Sequence, residues 1–342
     1  TSTILMKTSN LMKISKATEE NINIATKLLL KGGIVAFPTE TVYGLGAIAS
    51  NNKAIERVYK VKGRPKNNPL IVHAYDVKQV LAITKNIPKE AHILIKKYWP
   101  GPLTLILPYK KSSNISAIAR ANLETVAVRI PNHPIALKLL KAVNTPLIAP
   151  SANISQHLSP TKASHVRKDL GKHLVNERDM ILNGGSSNIG VESTVIDFTG
   201  CYPTVLRPGG LNINIINKDV KVTYIDNKSN NSKPISPGLF KKHYSPNASL
   251  RLNSKFPLMG EVWLGFGKDP ENIKNLVVHF NLRKVRIKKK FFKLKIADFY
   301  IDEKVEGKIS FWTLLYFSLS HLCIQINIFI KSDIQAKKSG WL

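Results

Sequence analysis

The sequence predicts an α/β protein whose sheet is mixed and flanked by helices. Short apolar runs that suit buried strands alternate with segments whose apolar residues recur at helical spacing. The alternation is irregular, which favours a mixed sheet over a purely parallel one. The chain has 342 residues, 43% of them hydrophobic, so it is long and apolar enough for two domains with separate cores.

The prediction centres on residues 32–46, which read GGIVAFPTETVYGLG. A helical segment at 19–31 precedes them, and its apolar residues end at two glycines. The apolar run 34–37 predicts a buried strand that ends at Pro38, because proline cannot donate to a sheet ladder. We expect a polar turn to follow and to lead into a helix that starts near Asn52.

This turn predicts a ligand site. In open α/β sheets, ligands bind at the carboxyl ends of strands, where this sequence has Thr-Glu-Thr. Gly44 and Gly46 would allow a ligand to approach the backbone closely, or would supply a positive φ. A tight strand-to-helix turn with no ligand explains the stretch equally well.

The remaining elements follow from the same two periodicities. Helices are predicted at 52–61, 77–83, 91–98 and 135–142, and strands at 70–73, 103–107, 125–130, 146–149 and 191–198. Asn, Lys and Ser cluster within residues 211–237 and predict a linker. The segments 249–252 and 261–266 predict strands of a small second domain.

Charge and cysteine content indicate only a broad class of partners and a cellular compartment. The net charge of +29 predicts polyanionic partners, either nucleotides or RNA, although a composition rich in Lys, Ile and Asn also produces such an excess without a function. Cys201 and Cys323 form neither a metal-ligand spacing nor a disulfide framework. Together with the lack of a secretory signal pattern, this predicts a cytoplasmic protein.

Lys62 and Arg64 are candidate phosphate ligands. They are two cations spaced i, i+2 with a glycine between them, in a loop rich in proline and asparagine just beyond a predicted helix. A solvated basic loop is the competing interpretation. The sequence contains neither a G-x-x-x-x-G-K-[ST] phosphate loop nor a G-x-G-x-x-G motif after a strand.

Arg129 lies inside an apolar strand, where a charge is costly unless it is paired. A ligand carboxylate would pair with it bidentately, and an internal ion pair with an acidic residue is a serious alternative. His73 ends another apolar strand and could bind a ligand, although a lone histidine is more often structural. Ser151 and Asn153 follow a buried strand, and helix capping is the alternative for both.

Six motifs occur in an order that is specific as a set, although each alone is weak. They are PTETVYGLG at 38–46, K-x-R at 62–64 with NPL at 68–70, WPGPLT at 99–104, TVAVR at 125–129, PSAN at 150–153 and GVEST at 190–194. Together they closely resemble the YrdC-type L-threonylcarbamoyladenylate synthases. RPG at 207–209 and KHYSP at 242–246 resemble the long form of that family, which has a linker and a second domain.

The resemblance implies a fold and a domain plan. The fold is a twisted mixed sheet flanked by helices around a deep basic cavity. The expected parts are a disordered tail over residues 1–14, a catalytic domain over 15–210, a linker over the active site at 211–245 and a smaller α/β domain at 246–342.

The resemblance also implies a reaction. L-threonine takes up bicarbonate or CO2 to give a carbamate, which attacks the α-phosphate of ATP and releases pyrophosphate, with Mg²⁺ accompanying the ATP. The product, threonylcarbamoyl-AMP, would serve a partner transferase that modifies tRNA beside the anticodon.

The family's site residues carry over by motif. The catalytic positions around the phosphates match Lys62, Arg64, Ser151 and Asn153, and further ATP-binding positions match Asn68, Thr125, Ser159, Arg207 and Tyr244. The threonine pocket matches Thr41, His73, Arg129, the backbone at Ala149, and Ser193.

The family pattern is lost after about Asn281. A basic run occupies 282–290, and residues 309–330 carry no formal charge. The latter stretch is long enough to span a membrane but too rich in polar residues, so we expect no stable membrane association. We interpret residues 282–342 as a frameshifted or decayed tail, which would degrade the second domain and would not pack on 246–281.

Two other functions remain open from the sequence. The first is an RNA-binding or ribosome-maturation module that uses the basic cavity, with weak RNA binding. It lacks aromatic residues interleaved with the basic ones for base stacking. The second is a carbamoyl-transfer domain of the hydrogenase-maturation type, whose accompanying zinc-finger and acylphosphatase segments are not visible here.

Overall fold

A computed structural model describes residues 12–224 and seven short strands beyond them. The strands of the first part are β1 (Ile14–Lys16), β2 (Val35–Phe37), β3 (Gly44–Ile48), β4 (Ile71–His73), β5 (Leu103–Pro108), β6 (Thr125–Arg129), β7 (Leu147–Ile148), β8 (Met180–Asn183), β9 (Thr194–Asp197), β10 (Thr204–Arg207) and β11 (Thr223–Tyr224). Its helices are α1 (Glu19–Leu30), α2 (Asn52–Lys62), α3 (Val77–Ile83), α4 (Lys89–Tyr98), α5 (Pro134–Val143), α6 (Ala163–Leu170) and α7 (Ile213–Ile216).

All eleven strands of this part form one sheet in the order β1-β8-β2-β3-β7-β4-β6-β5-β9-β10-β11. Parallel pairs such as β4 with β6 alternate with antiparallel pairs such as β5 with β6, so the sheet is mixed. The predicted α/β fold with a mixed sheet flanked by helices is therefore confirmed.

The core has two layers because successive residues of a strand face opposite sides of the sheet. Along residues 34–37, Val35 and Phe37 pack with α1 and α5, whereas Ile34 and Ala36 belong to the cluster on the other face. Helix α2 contributes its buried apolar residues to that second cluster. This alternation explains why a fully apolar run is needed at 34–37.

Strand β3 differs from the predicted turn. Residues 44–46 pair antiparallel with β2 and residues 47 and 48 with β7, so the turn after Pro38 connects two strands and does not lead directly into a helix. Glycine is needed at Gly46 because a Cβ there would lie 2.7 Å from Cε1 of Phe37. Gly44 and Gly46 are therefore strand residues that make room for neighbouring side chains, and neither has a positive φ.

The ends of this part extend further than expected. Met12 is buried and β1 pairs with β8 from Ile14 on, so residues 12–14 belong to the folded domain and not to a tail. At the other end, Ile213 and Ile216 are buried, and Lys97 binds Asp219 at 2.5 Å. Residues 211–224 thus pack on the sheet domain, and a linker can begin only after Tyr224. Residues 1–11 of the predicted tail lie outside the described residues.

A second sheet follows, with strands β12 (Ser249–Leu250), β13 (Glu261–Phe266), β14 (Val277–Asn281), β15 (Lys284–Ile287) and β18 (Ile328–Lys331). Its order is β12-β18-β13-β14-β15, and β16 (Ile301–Asp302) pairs separately with β17 (Lys308–Ile309). The predicted strands at 249–252 and 261–266 correspond to β12 and β13.

This sheet contradicts one expectation about residues 282–342. Strand β18 pairs with both β12 and β13, and β15 pairs with β14, so parts of that segment do join residues 249–281. Backbone pairing does not depend on the family's side-chain pattern, which is why losing the pattern did not predict this result. Most of 309–330 lies outside the described residues. Within the described part, no helix is long and apolar enough to cross a membrane.

Candidate active site

A cavity opens at one edge of the large sheet, where several strands end or begin together. His73 and Arg129 are the last residues of β4 and β6, which are parallel neighbours, and they lie opposite each other in the register. The cavity encloses about 510 Å³ of empty space, including its mouth. It is lined by Thr39, Thr41, Val42, Gly44, Arg64, Leu70, Ile71, His73, Arg129, Ala149, Pro150, Ser151, Glu192, Ser193 and Arg207.

Arg129 is held by an internal ion pair. Its Nη2 donates to Oε1 of Glu40 at 2.6 Å, and its Nε donates to the carbonyl of Gly101 at 3.2 Å. Both charged side chains are buried, and Oε2 of Glu40 has no hydrogen-bond partner among the described residues. The internal ion pair considered for Arg129 is therefore present. Nη1 takes part in neither of these bonds, so it can donate to a ligand.

His73 is a neutral imidazole of defined tautomer. Burial, reinforced by the charge of Arg129, lowers the pKa of His73 to about 3. Its Nδ1 lies 3.2 Å from the carbonyl oxygen of Ile71, which can only accept, so Nδ1 carries the proton. The other ring nitrogen, Nε2, is then a hydrogen-bond acceptor.

The turn after β2 positions the hydroxyl of Thr41. Thr39 Oγ1 donates to the carbonyl of Val42 at 2.6 Å and lies 2.8 Å from Thr41 Oγ1. Thr39 Oγ1 also accepts from the backbone N–H groups of Thr41 at 3.3 Å and Val42 at 3.2 Å. These bonds order the turn and position the Thr41 hydroxyl at the cavity that it lines.

Arg64 lines the cavity from the loop after α2. Its Nη2 donates to Oδ1 of Asn68 at 2.6 Å and to the carbonyl of Pro69 at 2.8 Å. The Tyr59 hydroxyl binds the carbonyl of Asn68, and burial raises the pKa of Tyr59 to about 12, so this donor stays protonated. Asn68 itself is buried and outside the lining, and its contact with the site is to hold Arg64.

Lys62 is not the solvated loop cation that one interpretation of the sequence described. It is the last residue of α2, is buried, and is followed by Gly63, which ends the helix at a positive φ of 58°. Lys62 Nζ donates to the carbonyls of Ser151 at 2.5 Å and Asn153 at 2.6 Å. Burial, with the nearby charge of Arg64, lowers the pKa of Lys62 to about 7.

Lys62 thus fixes the loop 150–153 through two of its carbonyls. No helix begins at this loop, so its side chains do not cap one. Asn153 Nδ2 donates to the carbonyls of Ile154 and His157 at 2.9 and 2.7 Å. Ser151 forms a bridge with Gly44 and lines the cavity. Of the predicted catalytic residues, Arg64 and Ser151 line the cavity, whereas Lys62 and Asn153 support it.

A second buried ion pair links Arg207 to Glu192. The other oxygen of Glu192 accepts from Ser159 Oγ at 2.8 Å. Arg207 also donates to Ser193, from Nη2 to the carbonyl at 2.9 Å and to Oγ at 3.0 Å. Ser159 therefore acts on the site through Glu192.

The cavity is less basic than its three arginines suggest. Arg129 is paired with Glu40 and Arg207 with Glu192, so two of the three positive charges are compensated inside the protein. The third, Arg64, contacts neutral amide and carbonyl oxygens in the contacts described above.

Comparison with known proteins assigns the cavity to a family. A profile of the Sua5/YciO/YrdC family, described as telomere recombination, matches residues 27–209, a span that contains the whole lining. The chain belongs to the Sua5/YciO/YrdC family. The family resemblance inferred from the ordered motifs is therefore confirmed.

Two curated relatives in this family are named threonylcarbamoyl-AMP synthase. The Bacillus subtilis protein is 46% identical over 230 residues, which are 67% of this chain and 65% of that protein. The Pyrococcus abyssi protein is 45% identical over 235 residues, 68% of this chain and 67% of that protein. The chain thus spans about two thirds of the length of these relatives. A crystal structure of P. abyssi Sua5 complexed with L-threonine matches with a TM-score of 0.67 at 36% identity, over 79% of this chain and 83% of that one.

The Sua5/YciO/YrdC cavity brings together most of the predicted ligand contacts. Thr41, Arg64, His73, Arg129, Ala149, Ser151, Ser193 and Arg207 all line it. Thr125 does not, because it begins β6 whereas Arg129 ends it, about 13 Å away at roughly 3.3 Å per residue. Tyr244 lies outside the described residues.

Three contributors were not among the residues to which the family resemblance gave a site role. Thr39 orders the turn, and Glu40 and Glu192 neutralise the two buried arginines. The signal for the glutamates was present, since an arginine in an apolar strand requires an acidic partner and both glutamates lie inside the site motifs. Sequence alone did not show which acidic residue would pair with which arginine.

Proposed function

We propose that the chain is an L-threonylcarbamoyladenylate synthase. It condenses L-threonine with bicarbonate or CO2 to a carbamate, whose oxygen attacks the α-phosphorus of ATP while pyrophosphate leaves. The product is threonylcarbamoyl-AMP. The names of the two curated relatives and the threonine complex of P. abyssi Sua5 support this proposal.

One observation carries the proposal: a single cavity combines an arginine on a buried strand with a neutral histidine beside it and a separate loop arginine. Arg129 and His73 lie opposite each other on neighbouring strands, and Arg64 lines the same cavity. Two anionic groups, one on an amino acid and one on a nucleotide, would each find a cation there.

The amino-acid half uses complementary donors and acceptors. Arg129 Nη1 would bind the carboxylate of threonine, and His73 Nε2 would accept from its hydroxyl or amine. Thr41, Ser193 and the backbone at Ala149 complete the proposed pocket. A histidine that stays neutral suits this task, since a second cation would compete for the carboxylate held by Arg129.

The nucleotide half supplies positioning and charge, which is what phosphoryl-type transfer chiefly requires. Arg64 would contact the phosphates, and Ser151 would donate a hydroxyl from the loop that Lys62 holds. Arg207 would contact the nucleotide, and Asn68, Asn153 and Ser159 would act by holding these groups. Direct contacts of Thr125 and Tyr244 with ATP remain part of the proposal.

Mg²⁺ would arrive with ATP, held mainly by phosphate oxygens. Among the described residues, no group of three or more His, Cys, Asp or Glu is arranged to hold a metal ion. The carboxylates of Glu40 and Glu192 are already paired with arginines. An ion held by phosphates keeps several waters and takes few protein ligands. When bound, Mg²⁺ supplies charge neutralisation on the phosphates.

The proposed product would be the substrate of a second enzyme. Threonylcarbamoyl-AMP is an activated acyl group, so a partner transferase would pass it to the adenosine beside the anticodon of a tRNA, and we propose that this occurs in the cytoplasm. The alternative RNA-binding module gains no support from the cavity. Within the described part of the chain, its lining has no Phe, Tyr or Trp on which a base could stack.

The test is pyrophosphate release by the full chain with ATP, Mg²⁺, bicarbonate and L-threonine. We expect release to require threonine, and mass spectrometry to detect threonylcarbamoyl-AMP. L-valine, which has the same shape without the hydroxyl, is the matched control and should support little release. Release that does not depend on threonine would contradict the proposal, and RNA binding without any release would favour the alternative.

A further inference from the structure

A chain of hydroxyls extends from the cavity into the core. Ser193 lines the cavity, and its Oγ lies 2.7 Å from Oγ1 of Thr104. Thr104 is fully buried in β5, so no solvent reaches its hydroxyl. Among the described residues, Ser193 is the hydrogen-bond partner of that hydroxyl. Nothing in the proposed reaction has so far used Thr104.

The polarity of this chain follows from what each group can donate. Arginine has no acceptor, so the bond of 3.0 Å between Arg207 Nη2 and Ser193 Oγ runs from arginine to serine. If Ser193 then donated to Thr104, the proton of Thr104 would be buried without an acceptor, which is costly. If Thr104 donates to Ser193, every proton in the chain has a partner except that of Ser193.

We propose that Thr104 is a positioning residue that fixes the Ser193 hydroxyl as a donor to the substrate. With both lone pairs of Ser193 occupied by Arg207 and Thr104, its proton is directed into the cavity. Ser193 then selects an oxygen acceptor, such as a carboxylate or carbamate oxygen, and rejects a donor. This inference deepens the proposed function and rests on it for the identity of the amino acid.

The test measures binding of L-threonine by calorimetry, together with the KM values for threonine and ATP. Thr104→Val keeps the shape and removes the donor, so we expect the Kd and KM for threonine to rise roughly three- to tenfold. The KM for ATP should stay unchanged. Thr84→Val is the matched control because Thr84 is also buried and bonds the carbonyl of Val80, outside the cavity. It should leave both KM values unchanged.

Two further comparisons separate positioning from packing. Thr104→Ser and Thr104→Ala both lose the methyl group, but only serine keeps the donor, so threonine binding should be restored by serine alone. If Thr104→Val fails to fold, the comparison of Thr104→Ser with Thr104→Ala tests the inference by itself. In a Ser193→Ala background, Thr104→Val should add nothing to the Kd. Equal binding by the serine and alanine variants, or equal changes in both KM values, would overturn the inference.

The outcomes also separate this inference from the proposed function. A wild-type chain that binds threonine but releases no pyrophosphate contradicts only the proposed reaction. The ratio of the Kd for threonine of each Thr104 variant to that of the wild type still tests the positioning role of Thr104. A wild-type chain that binds no threonine overturns both.

Discussion

Arg129 and Glu40 form an ion pair of 2.6 Å in which both side chains are almost fully buried. The pair joins the end of β6 to the turn after β2, two parts of the chain far apart in sequence. A buried ion pair is costly to break, because removing one partner leaves the other charge without compensation. Arg129 therefore has a structural task as well as its proposed role in binding threonine.

The first prediction separates these two tasks. Arg129→Leu should lower the free energy of unfolding by about 3–5 kcal/mol, since it leaves Glu40 charged and unpaired. Adding Glu40→Gln should recover part of that loss, as measured by urea unfolding. In the double variant the KM for threonine should still exceed the wild-type value by roughly one to two decades, with little change for ATP. An equal rise for both substrates would mean that Arg129 serves the fold alone.

The second prediction concerns Arg64. Arg64→Ala should reduce pyrophosphate release roughly 10²–10³-fold while the chain stays folded, because the cation acts on developing phosphate charge from a partly exposed loop. Lys66→Ala is the matched control on the same loop, since Lys66 is exposed and pairs only with Glu56 at 3.3 Å in the contacts described. Its turnover should equal that of the wild type. A folded Arg64→Ala chain with normal turnover would remove Arg64 from the site.

The third prediction is a pH dependence. The pKa of Lys62 is about 7 in the folded chain and 10.5 ordinarily, so between these values the unfolded chain binds more protons. The contribution of Lys62 to stability is therefore complete above pH 10.5 and is lost as the pH falls towards 7. Compared with Lys62→Met, the wild type should gain stability as the pH rises from 7 to 10, by at most about 1.4 kcal/mol per pH unit.

Urea unfolding at several pH values measures this difference. Lys60→Met is the control, because Lys60 lies on the same helix but is exposed in the folded chain. The difference between wild type and this control should stay flat over the same range. A flat difference for Lys62→Met as well would show that Lys62 keeps an ordinary pKa when buried.

The fourth prediction concerns the second sheet. Truncation after Asn281 removes β18, which pairs with both β12 and β13, and β15, which pairs with β14, so three strands would expose unpaired edges. The soluble fraction should fall, as measured by centrifugation of lysates. Truncation after Lys331, which keeps β18, should remain as soluble as the full chain. If both truncated chains are equally soluble, residues 282–331 contribute nothing to the second domain, as the decay interpretation holds.

The elements with clear periodicity were predictable. The helix at Val77–Ile83 has the predicted bounds, and the buried strands at 71–73 and 103–108 differ by a residue or less at each end. In contrast, β1 and β8 were missed because each is short and has no distinct alternation. Strand β3 was missed because its glycines indicate a turn, whereas the reason for Gly46 is the ring of Phe37 across the pair.

Most residues that line the site could be predicted, but the ion pairs between its residues could not. The family resemblance identified eight residues of the lining. The pairing of Arg129 with Glu40, and of Arg207 with Glu192, depends on distances between elements far apart in sequence. Likewise, the burial of Lys62 follows from where α2 packs, which no local pattern records.

Strand β8 lies between β1 and β2 and is parallel to both, although it comes much later in the chain. During synthesis, β1 therefore has no strand partner, and β2 is paired on one side only, with β3, until residues 180–183 leave the ribosome. An apolar strand with a free edge readily joins another chain, so the nascent protein is exposed to misassembly throughout this interval. A pause or a premature stop before Met180 would release a polypeptide that has most of the helices but lacks the strand that unites its amino-terminal end.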